Sequence, residues 1–165
     1  MNQAYLSLGS NLGERLIHLQ TSINTLSEYG KIVKCSSVYE TAPWGFESNS
    51  PFLNICLLYE TSLSSLQLLE RIKAVEIAQG RMRDGETYSS RTIDIDIILF
   101  NDLIIQNEEL CIPHLHYRKR AFVLIPLHEI APELQDPRDG VSIKDLLVHS
   151  ADECSVAKIT GSLNY

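Results

Sequence analysis

The sequence predicts an α+β fold: a ferredoxin-like (split βαβ) antiparallel sheet with helices, extended to a three-layer αβα domain. Short apolar segments alternate with segments of three- and four-residue apolar periodicity, in the order strand, helix, strand, strand, helix, strand. The last third of the chain adds helical segments that can cover the other face of the sheet. A length of 165 residues suits one domain, and we expect residues 1–165 to form it.

Five elements are predicted in the first 80 residues. Apolar residues at helical spacing indicate the first helix, and Ser64 with Gln67 resembles a capping box that begins the second. The loop 42–51 separates two strands that we expect to pair antiparallel. The predicted strands are residues 4–8, 32–41 and 52–61, the first helical face is Leu12, Leu16, Leu19, Ile23 and Leu26, and the second helix carries Leu66, Leu69, Ile72, Lys73 and Glu76 and ends near Gly80.

The second half of the chain begins with its clearest strand, residues 93–100, which follows a polar loop at 81–90 that we expect to be mobile. The tail beyond Val148 has no assigned role and is expected only to pack or fray. The remaining predicted elements are a short strand at 103–105, a helical region at 118–130 bent by Pro126, and a helix begun by Ser142.

Charge and composition exclude several classes of protein. The chain has 14 Lys and Arg against 21 Asp and Glu, and a formal charge of −7 opposes nonspecific binding of nucleic acid. The four cysteines are far apart and match no zinc-binding spacing, so we interpret them as reduced thiols of a cytoplasmic protein. No signal peptide and no membrane span is indicated. We therefore expect a cytoplasmic protein that binds neither nucleic acid nor membrane, and a monomer, since nothing demands a second subunit.

The strand 93–100 carries the main chemical signal, because Asp94 and Asp96 alternate with apolar residues. Alternation in a strand places both carboxylates on one face. Two neighbouring carboxylates on an apolar strand need a compensating cation, and Mg²⁺ suits them because it takes its other ligands from water and substrate phosphates. The alternative is a solvated outer face of an edge strand. The opposite face is predicted to carry Ile93, Ile95, Ile97 and Leu99.

Basic residues cluster around that strand. Six of the 14 lysines and arginines lie between positions 81 and 120. Guanidinium groups bind phosphate in a bidentate manner, so arginines beside a carboxylate pair favour polyphosphate transfer. The alternative is that each basic residue, taken singly, lies on the surface and balances the negative charge of the chain. The six residues are Arg81, Arg83, Arg91, Arg118, Lys119 and Arg120.

The glycine-rich turn at 9–13 is a weaker signal. It follows the first predicted strand but lacks the lysine of a Walker motif and the spacing of a dinucleotide-binding turn. We interpret it first as a tight turn in which Ser10 or Asn11 caps the first helix, and second as a phosphate contact. No covalent nucleophile is indicated, so direct transfer is the simpler hypothesis.

Several segments together resemble the 6-hydroxymethyl-7,8-dihydropterin pyrophosphokinase family, over about residues 4–134. The resemblance implies transfer of the β,γ-pyrophosphoryl group of ATP to the hydroxymethyl oxygen of a reduced pterin, with AMP as product. The matching segments are LGSNLG at 8–13, SVYET at 37–41, FLN at 52–54, EIAQGRMR at 76–83, RTIDIDIILF at 91–100, IPH at 112–114 and RAFVL at 120–124.

The resemblance also implies roles on the nucleotide side. Asp94 and Asp96 would hold two Mg²⁺ ions, with ATP as co-substrate. Arg81, Arg83 and Arg91 would act in catalysis, and Arg83 would assist closure of a loop. The implied ATP-binding residues are Glu76, Arg81, Arg91, Ile97, His114 and Arg120.

On the acceptor side, Phe52 and Phe122 would stack on the two faces of the pterin, and Asn54 would bind its polar edge. Taken alone, a strand phenylalanine equally suits core packing. This chain has Tyr88, Ser89 and Ser90 where the family commonly has Trp-Gly-Pro, so the backbone of that loop is differently restricted. The implied pterin-binding residues are Thr41, Ala42, Trp44, Phe52, Asn54, Tyr88, Asp94 and Phe122.

Two other functions stay open from the sequence. One is a different metal-dependent phosphoryl or nucleotidyl transferase that uses the same aspartates and arginines on another acceptor. The other is a noncatalytic nucleotide-binding regulator, since the fold alone assigns no activity. A regulator would not need both a carboxylate pair and an aromatic acceptor pocket.

Overall fold

The fold is built on one antiparallel sheet in a computed structural model that describes residues 1–42, 50–81, 90–150, 155–161 and 163–165. Within those residues, the first five strands and the last form the sheet, in the order β5-β1-β4-β3-β8, with β2 also paired to β4 beside β3. A separate hairpin pairs β6 with β7. The strands are β1 (Asn2–Ser10), β2 (Gly30–Cys35), β3 (Tyr39–Thr41), β4 (Phe52–Thr61), β5 (Asp94–Phe100), β6 (Ile105–Gln106), β7 (Cys111–Ile112) and β8 (Val156–Lys158).

Helices on both faces of the sheet complete the predicted three-layer arrangement. Leu57 of β4 packs in a core with Leu19 and Ile72 of the first two helices, while Leu58 packs in a second core with Leu124. Strand alternation thus divides β4 between two cores. The helices are α1 (Arg15–Leu26), α2 (Ser65–Ala78), α3 (Ala121–Ile130) and α4 (Ile143–Val148), with a short 3₁₀ helix at Tyr117–Lys119.

Local signals at the helix ends are confirmed. Ser64 and Gln67 form both hydrogen bonds of a capping box at the start of α2. Ser142 caps α4 by accepting the backbone N–H of Asp145. These short-range bonds depend only on residues within one turn, which is why the sequence predicts them well.

The predicted helical faces are partly wrong. Leu12 precedes α1, and Leu16 within it is 39% exposed, so the buried face of α1 begins at Leu19. Leu66 of α2 is 47% exposed, and the buried face runs instead through Ser65 and Leu68. The buried face of α1 is thus shorter than its apolar spacing indicates, and that of α2 begins one position earlier than predicted.

The predicted strand 32–41 is two strands rather than one. Between β2 and β3, the N–H of Ser36 donates to the carbonyl of Cys56, and the Ser36 hydroxyl accepts the Cys56 N–H. The hydroxyl thus takes part in the pairing with β4 in place of a backbone carbonyl. Both strands pair antiparallel with β4, as expected for residues 52–61.

A β-bulge corrects the predicted faces of β5. The register shifts between Tyr5 and Leu6 of β1, so that Leu6 pairs with Ile97 and Tyr5 with Leu99. Ile97 lies in the core beside α1 and α2, whereas Leu99 packs in the core beside α3. The prediction that Leu99 shares a face with Ile97 is therefore wrong, because the inserted residue Ile98 reverses the alternation.

The tail is part of the sheet, contrary to the expectation that it only packs or frays. β8 pairs antiparallel with β3, and Lys158 reaches Glu129 of α3 with an Nζ to Oε1 distance of 3.1 Å. The side chains of Ile159 and Leu163 pack against the core beside α1 and α2. The tail therefore pairs with β3. Local sequence patterns do not predict this contact, because the two strands are distant in sequence.

The fully buried carboxylate of Asp136 joins the segment that follows α3 to the 3₁₀ helix. It accepts hydrogen bonds from the Tyr117 hydroxyl at 2.6 Å and from Arg118 Nε at 2.8 Å. Arg138 donates to it from both its backbone and its guanidinium group. These bonds outweigh burial and hold the pKa of Asp136 well below its usual range.

We expect Asp136→Asn to lower the free energy of unfolding by about 3–5 kcal/mol at pH 7, because it removes one partner of a buried charge network. Since the pKa of Asp136 is depressed in the folded state, its stabilisation is present above the unfolded pKa and declines as the pH falls towards the folded one. Urea unfolding at pH 7 and pH 3 measures both effects. Asp139→Asn, at an exposed carboxylate bound to the same Arg118, is the control and should have a much smaller effect.

Candidate active site

An open pocket lies on the face of the sheet covered by α3. Beneath α3 this face is apolar, with Cys56 and Leu58 in the core, and along the same strands it becomes small and polar. The pocket contains about 510 Å³ of space between atoms, part of it open to solvent. Its lining residues are Ser7, Gly9, Thr41, Ala42, Phe52, Asn54, Arg91, Asp94, Asp96, Arg120 and Phe122.

Two small residues of β1 leave the β5 carboxylates accessible. In the antiparallel register, Ser7 lies opposite Asp96 and Gly9 lies opposite Asp94. The side chains of Asp94 and Asp96 keep 24% and 34% of their accessible surface. The prediction that both carboxylates share one face is confirmed, since both line the pocket.

Asp94 lies between two arginines. Arg81 Nη1 is 2.5 Å from Asp94 Oδ1, and Arg91 Nη1 is 2.6 Å from Oδ2. Arg81 also pairs with the buried carboxylate of Glu76, which accepts the backbone N–H of Ile95 at 2.8 Å. Arg81 and Arg91, both predicted to bind phosphate, thus lie in the site, where their guanidinium groups form ion pairs with carboxylates.

Asp96 faces two basic side chains at longer range. Its Oδ2 lies 3.8 Å from His114 Nε2 and 3.9 Å from Arg120 Nη1. Burial, followed by the negative charge of Asp94, raises the pKa of Asp96 above its usual range. Burial, followed by the charges of Arg120 and His116, lowers the pKa of His114 to about 4, so its imidazole is neutral at pH 7. Additional positive charge near Asp96 would therefore favour its ionised form.

Two aromatic rings border the pocket. Phe52 begins β4 and Phe122 lies in the first turn of α3, and both are half-buried and line the pocket. The guanidinium carbon of Arg120 lies 5.6 Å from the centroid of the Phe122 ring, in cation–π range. Core packing alone does not describe these rings, because each keeps surface that a flat ligand can contact.

The amide of Asn54 is fixed between β1 and β3. Its Nδ2 donates to the Thr41 hydroxyl at 2.8 Å, and the side chain is 2% exposed. Gly9 lies opposite Asn54 in the pairing of β1 with β4. A β-carbon at Gly9 would lie 3.0 Å from Asn54 Oδ1 and 3.6 Å from the ring of Phe52. The absence of a β-carbon at Gly9 therefore leaves room for the side-chain amide of Asn54.

The sequence does not lead us to predict Ser7 as a pocket residue, and Gly9 is predicted only as part of a turn with a phosphate contact as the second interpretation. The alternation of a strand does indicate that Ser7 and Gly9 share a face of β1, in the same way as Asp94 and Asp96 share a face of β5. Their place opposite the carboxylates depends on the register, which sequence alone does not give.

The expectation that Ser10 or Asn11 caps the first helix is wrong. The N-cap residue of α1 is Glu14, whose side chain makes no capping hydrogen bond. The amide of Asn11 instead accepts the backbone N–H of Arg91 at 2.7 Å and donates to the Ser90 hydroxyl at 3.0 Å. The turn between β1 and α1 therefore serves the segment before β5 rather than the helix.

Some predicted site residues are placed elsewhere or not described. Ile97 is buried in the core beside α1 and α2, on the face of β5 opposite the carboxylates. Trp44, Arg83 and Tyr88, together with most of the two predicted loops, lie outside the described residues. Their assignment to the site stays a prediction.

Similarity to known proteins decides the family. The sequence model of the family described as 7,8-dihydro-6-hydroxymethylpterin-pyrophosphokinase (HPPK) matches residues 5–132. The chain belongs to the HPPK family. It is 42% identical over 137 residues to the 2-amino-4-hydroxy-6-hydroxymethyldihydropteridine pyrophosphokinase of Aquifex aeolicus, covering 83% of this chain and 85% of that protein. The Bacillus subtilis protein of the same name is 40% identical over 136 residues, covering 81% of each chain.

Solved structures share the fold at lower identity. A crystal structure of HPPK-DHPS in complex with substrates has a TM-score of 0.75 at 18% identity, covering 89% of this HPPK-family chain and 43% of that chain. Wild-type Plasmodium falciparum HPPK-DHPS with SDX-DHP has a TM-score of 0.73 at 20% identity, covering 89% and 44%. This likeness confirms the predicted fold. The chain spans less than half the length of those proteins.

We expect Gly9→Ala to raise the KM for the pterin roughly 10-fold, because the new methyl group displaces the Asn54 amide and costs about one hydrogen bond. The KM for ATP should change little, since the atoms found within 4 Å of the new methyl group belong to Asn54 and Phe52 rather than to Asp94. Steady-state kinetics with each substrate varied in turn measures the difference. Gly161→Ala is the matched control, because its β-carbon would meet only Leu16 methyl groups at ordinary distances of 3.8 and 3.9 Å.

Proposed function

We propose that this chain transfers pyrophosphate from ATP to the hydroxymethyl group of 6-hydroxymethyl-7,8-dihydropterin, giving AMP and the pterin diphosphate in tetrahydrofolate biosynthesis. Membership of the HPPK family supports this reaction and makes the chain an ATP-dependent pyrophosphokinase. The observation that carries the proposal is that a carboxylate pair with arginines and two half-buried aromatic rings border the same pocket. A centre for phosphate transfer and a stacking site for a flat ring are thus adjacent.

We assign two Mg²⁺ ions to Asp94 and Asp96. The donor set fits, because two accessible carboxylates on neighbouring positions of one face suit a hard cation that keeps water and substrate oxygens as its other ligands. The raised pKa of Asp96 supports the assignment, since a cation is what favours its ionised form. Bound Mg²⁺ would neutralise charge on the triphosphate.

The arginines exchange partners in this proposal. Phosphate oxygens accept the same bidentate geometry as a carboxylate, so the triphosphate can replace Asp94 as the partner of Arg81 and Arg91. Glu76 keeps its hold on Arg81 and directs that guanidinium group towards the pocket. His114, neutral at pH 7, can donate a hydrogen bond to a phosphate oxygen, and the buried Arg120 contributes a permanent charge.

On the acceptor side, the residues orient the hydroxymethyl oxygen. Phe52 and Phe122 offer flat faces to the pterin ring, and Asn54 and Thr41 offer polar groups to its edge. The attacking hydroxyl is not acidic, so alignment with the β-phosphorus and neutralisation of charge supply the catalysis. This alignment is the role that we assign to the rigid strands under the pocket.

The proposal extends to the domain organisation, oligomeric state and location of the protein. We propose that the chain works as one domain and as a monomer in the cytoplasm, without nucleic acid or membrane, because strands and helices of one chain supply the whole described pocket. Cys35, Cys56 and Cys111 are free thiols, which suits a reducing compartment. Among the described residues, no helix has the length and apolar character needed to cross a membrane.

Incubation with ATP, Mg²⁺ and 6-hydroxymethyl-7,8-dihydropterin tests the reaction directly. We expect AMP and pterin diphosphate in equal amounts, because the bond between the α- and β-phosphates is the one that breaks. Chromatography of the nucleotides distinguishes the products. ADP formation would indicate a simple kinase, and binding of ATP without turnover would favour a regulator.

We expect Asp96→Asn to reduce the rate of AMP formation by roughly 100-fold or more, because it removes a metal ligand and a charge from the transfer centre. In EDTA at pH 8, the same variant should melt no lower than the wild-type protein. The raised pKa means that ionised Asp96 lowers stability above its unfolded pKa, and asparagine removes that effect.

Thermal melting with and without Mg²⁺ completes this test. Mg²⁺ should raise the melting temperature of the wild-type protein but not that of Asp96→Asn. Asp102→Asn, at an exposed carboxylate just after β5, is the control and should behave as wild type. An Asp96→Asn variant with wild-type turnover would contradict the metal assignment.

A further inference from the structure

Asn11, at the end of β1, is bound to two segments that are distant in sequence. It is 2% exposed. Its backbone N–H donates to the carbonyl of Arg91 at 3.1 Å, and its Oδ1 accepts the backbone N–H of Arg91 at 2.7 Å. Its Nδ2 donates to the Ser90 hydroxyl at 3.0 Å and to the carbonyl of Ser50 at 3.3 Å. One short side chain thus satisfies polar groups 39 to 80 positions away.

The pair of bonds to Arg91 fixes the backbone of a residue outside the sheet. The pairing of β1 with β5 ends at Gly9 and Asp94, so Arg91 lies three positions before the first paired residue of β5. Asn11 binds both backbone polar groups of Arg91 and thereby continues the attachment to β1 beyond the sheet. The guanidinium group of Arg91 then extends to Asp94, with a distance of 2.6 Å between Nη1 and Oδ2.

The bond to Ser50 reaches the acceptor side of the pocket. Ser50 precedes Pro51, whose carbonyl accepts a hydrogen bond from Arg15 at 2.8 Å, and Phe52 follows at the start of β4. Asn11 therefore connects the approach to the aromatic ring with the backbone of the arginine at the carboxylates. Neither connection requires the amide to touch a substrate.

We propose that Asn11 is a positioning residue for pyrophosphoryl transfer, which holds the backbone of Arg91 and the segment before Phe52 in one fixed relation. The inference rests on the proposed function, in which Arg91 binds phosphate and Phe52 binds the pterin. Asn11 acts through the backbone of Arg91, so its contribution depends on the guanidinium group that this backbone carries. A residue that only stabilised the fold would contribute equally whatever side chain stood at position 91.

The first test compares Asn11→Ala with Ser90→Ala by steady-state kinetics and thermal melting. We expect Asn11→Ala to lower kcat roughly 10- to 100-fold at saturating substrates, because small displacements of a catalytic group cost that much. The KM for ATP should stay within about 3-fold of wild type if the change acts on the transfer step rather than on uniform binding. Ser90→Ala removes one Asn11 contact and leaves both bonds to Arg91, so its kcat should stay close to wild type.

Asn11→Gln keeps the amide but moves it by one methylene, and provides a second variant if Asn11→Ala does not remain folded. We expect a loss of kcat similar to that of Asn11→Ala. Wild-type kcat in a folded Asn11→Ala or Asn11→Gln protein would overturn the proposal. A decrease explained entirely by the fraction of unfolded protein would overturn it as well.

A double-mutant cycle with Arg91→Lys separates positioning from stability. Release of labelled AMP over hours gives the rates of the slow variants. We expect Asn11→Ala to cost less than about 3-fold in the Arg91→Lys background, because the two residues act as a unit. Equal losses in both backgrounds would overturn the proposal, while AMP formation by the wild-type protein would leave the proposed function intact.

Discussion

The register between β1 and β5 determines what the rest of the site can do. Ser7 and Gly9 lie opposite Asp96 and Asp94, so the two carboxylates are not covered by their neighbours. On its other side β1 pairs with β4, and the same Gly9 leaves space for the amide of Asn54. Two small residues of one strand thus shape both the carboxylate half and the amide half of the pocket. A shift of one residue would put apolar side chains of β1 in their place.

The local balance of charge explains how an acidic chain can receive a triphosphate. The formal charge of the whole chain is −7, yet arginines and carboxylates match each other around the pocket. In the proposed reaction, the charges of the Mg²⁺ ions and of ATP would largely cancel, so that their binding together would change the partners of the ion pairs more than the net charge of the site. Ligand and protein can then exchange ion pairs without leaving a charge unpaired, which is the costly state in a partly buried site. The matched groups are Glu76, Asp94 and Asp96 with Arg81, Arg91 and Arg120.

Features that depend on one segment could be predicted from the sequence, and features that depend on contact between segments could not. Ser64 and Ser142 begin their helices as expected, and Asp94 and Asp96 share a face because alternation is local. The reversal at Ile98 depends on the pairing with β1, which no local pattern of β5 contains. The sequence predicts Asn11 as a candidate cap of the nearest helix, because its partner in the structure, Arg91, lies 80 positions along the chain. The site residues are predicted from motifs whose spacing resembles a family, and the packing of distant segments determines how those residues meet.

The position of β5 at one edge of the sheet has a consequence for self-association. An edge strand offers unpaired backbone groups to which a strand of another molecule can add. Two such groups on β5 are bonded within the chain, since the N–H of Ile95 donates to Glu76 and the carbonyl of Ile98 accepts the N–H of His114, while β8 covers the backbone of β3 elsewhere in the sheet. The contacts that hold Glu76 and His114 beside the carboxylates therefore also reduce what this edge offers to another molecule. Loss of the Glu76 side chain would free the N–H of Ile95 for a strand of another molecule, as well as removing a partner of Arg81.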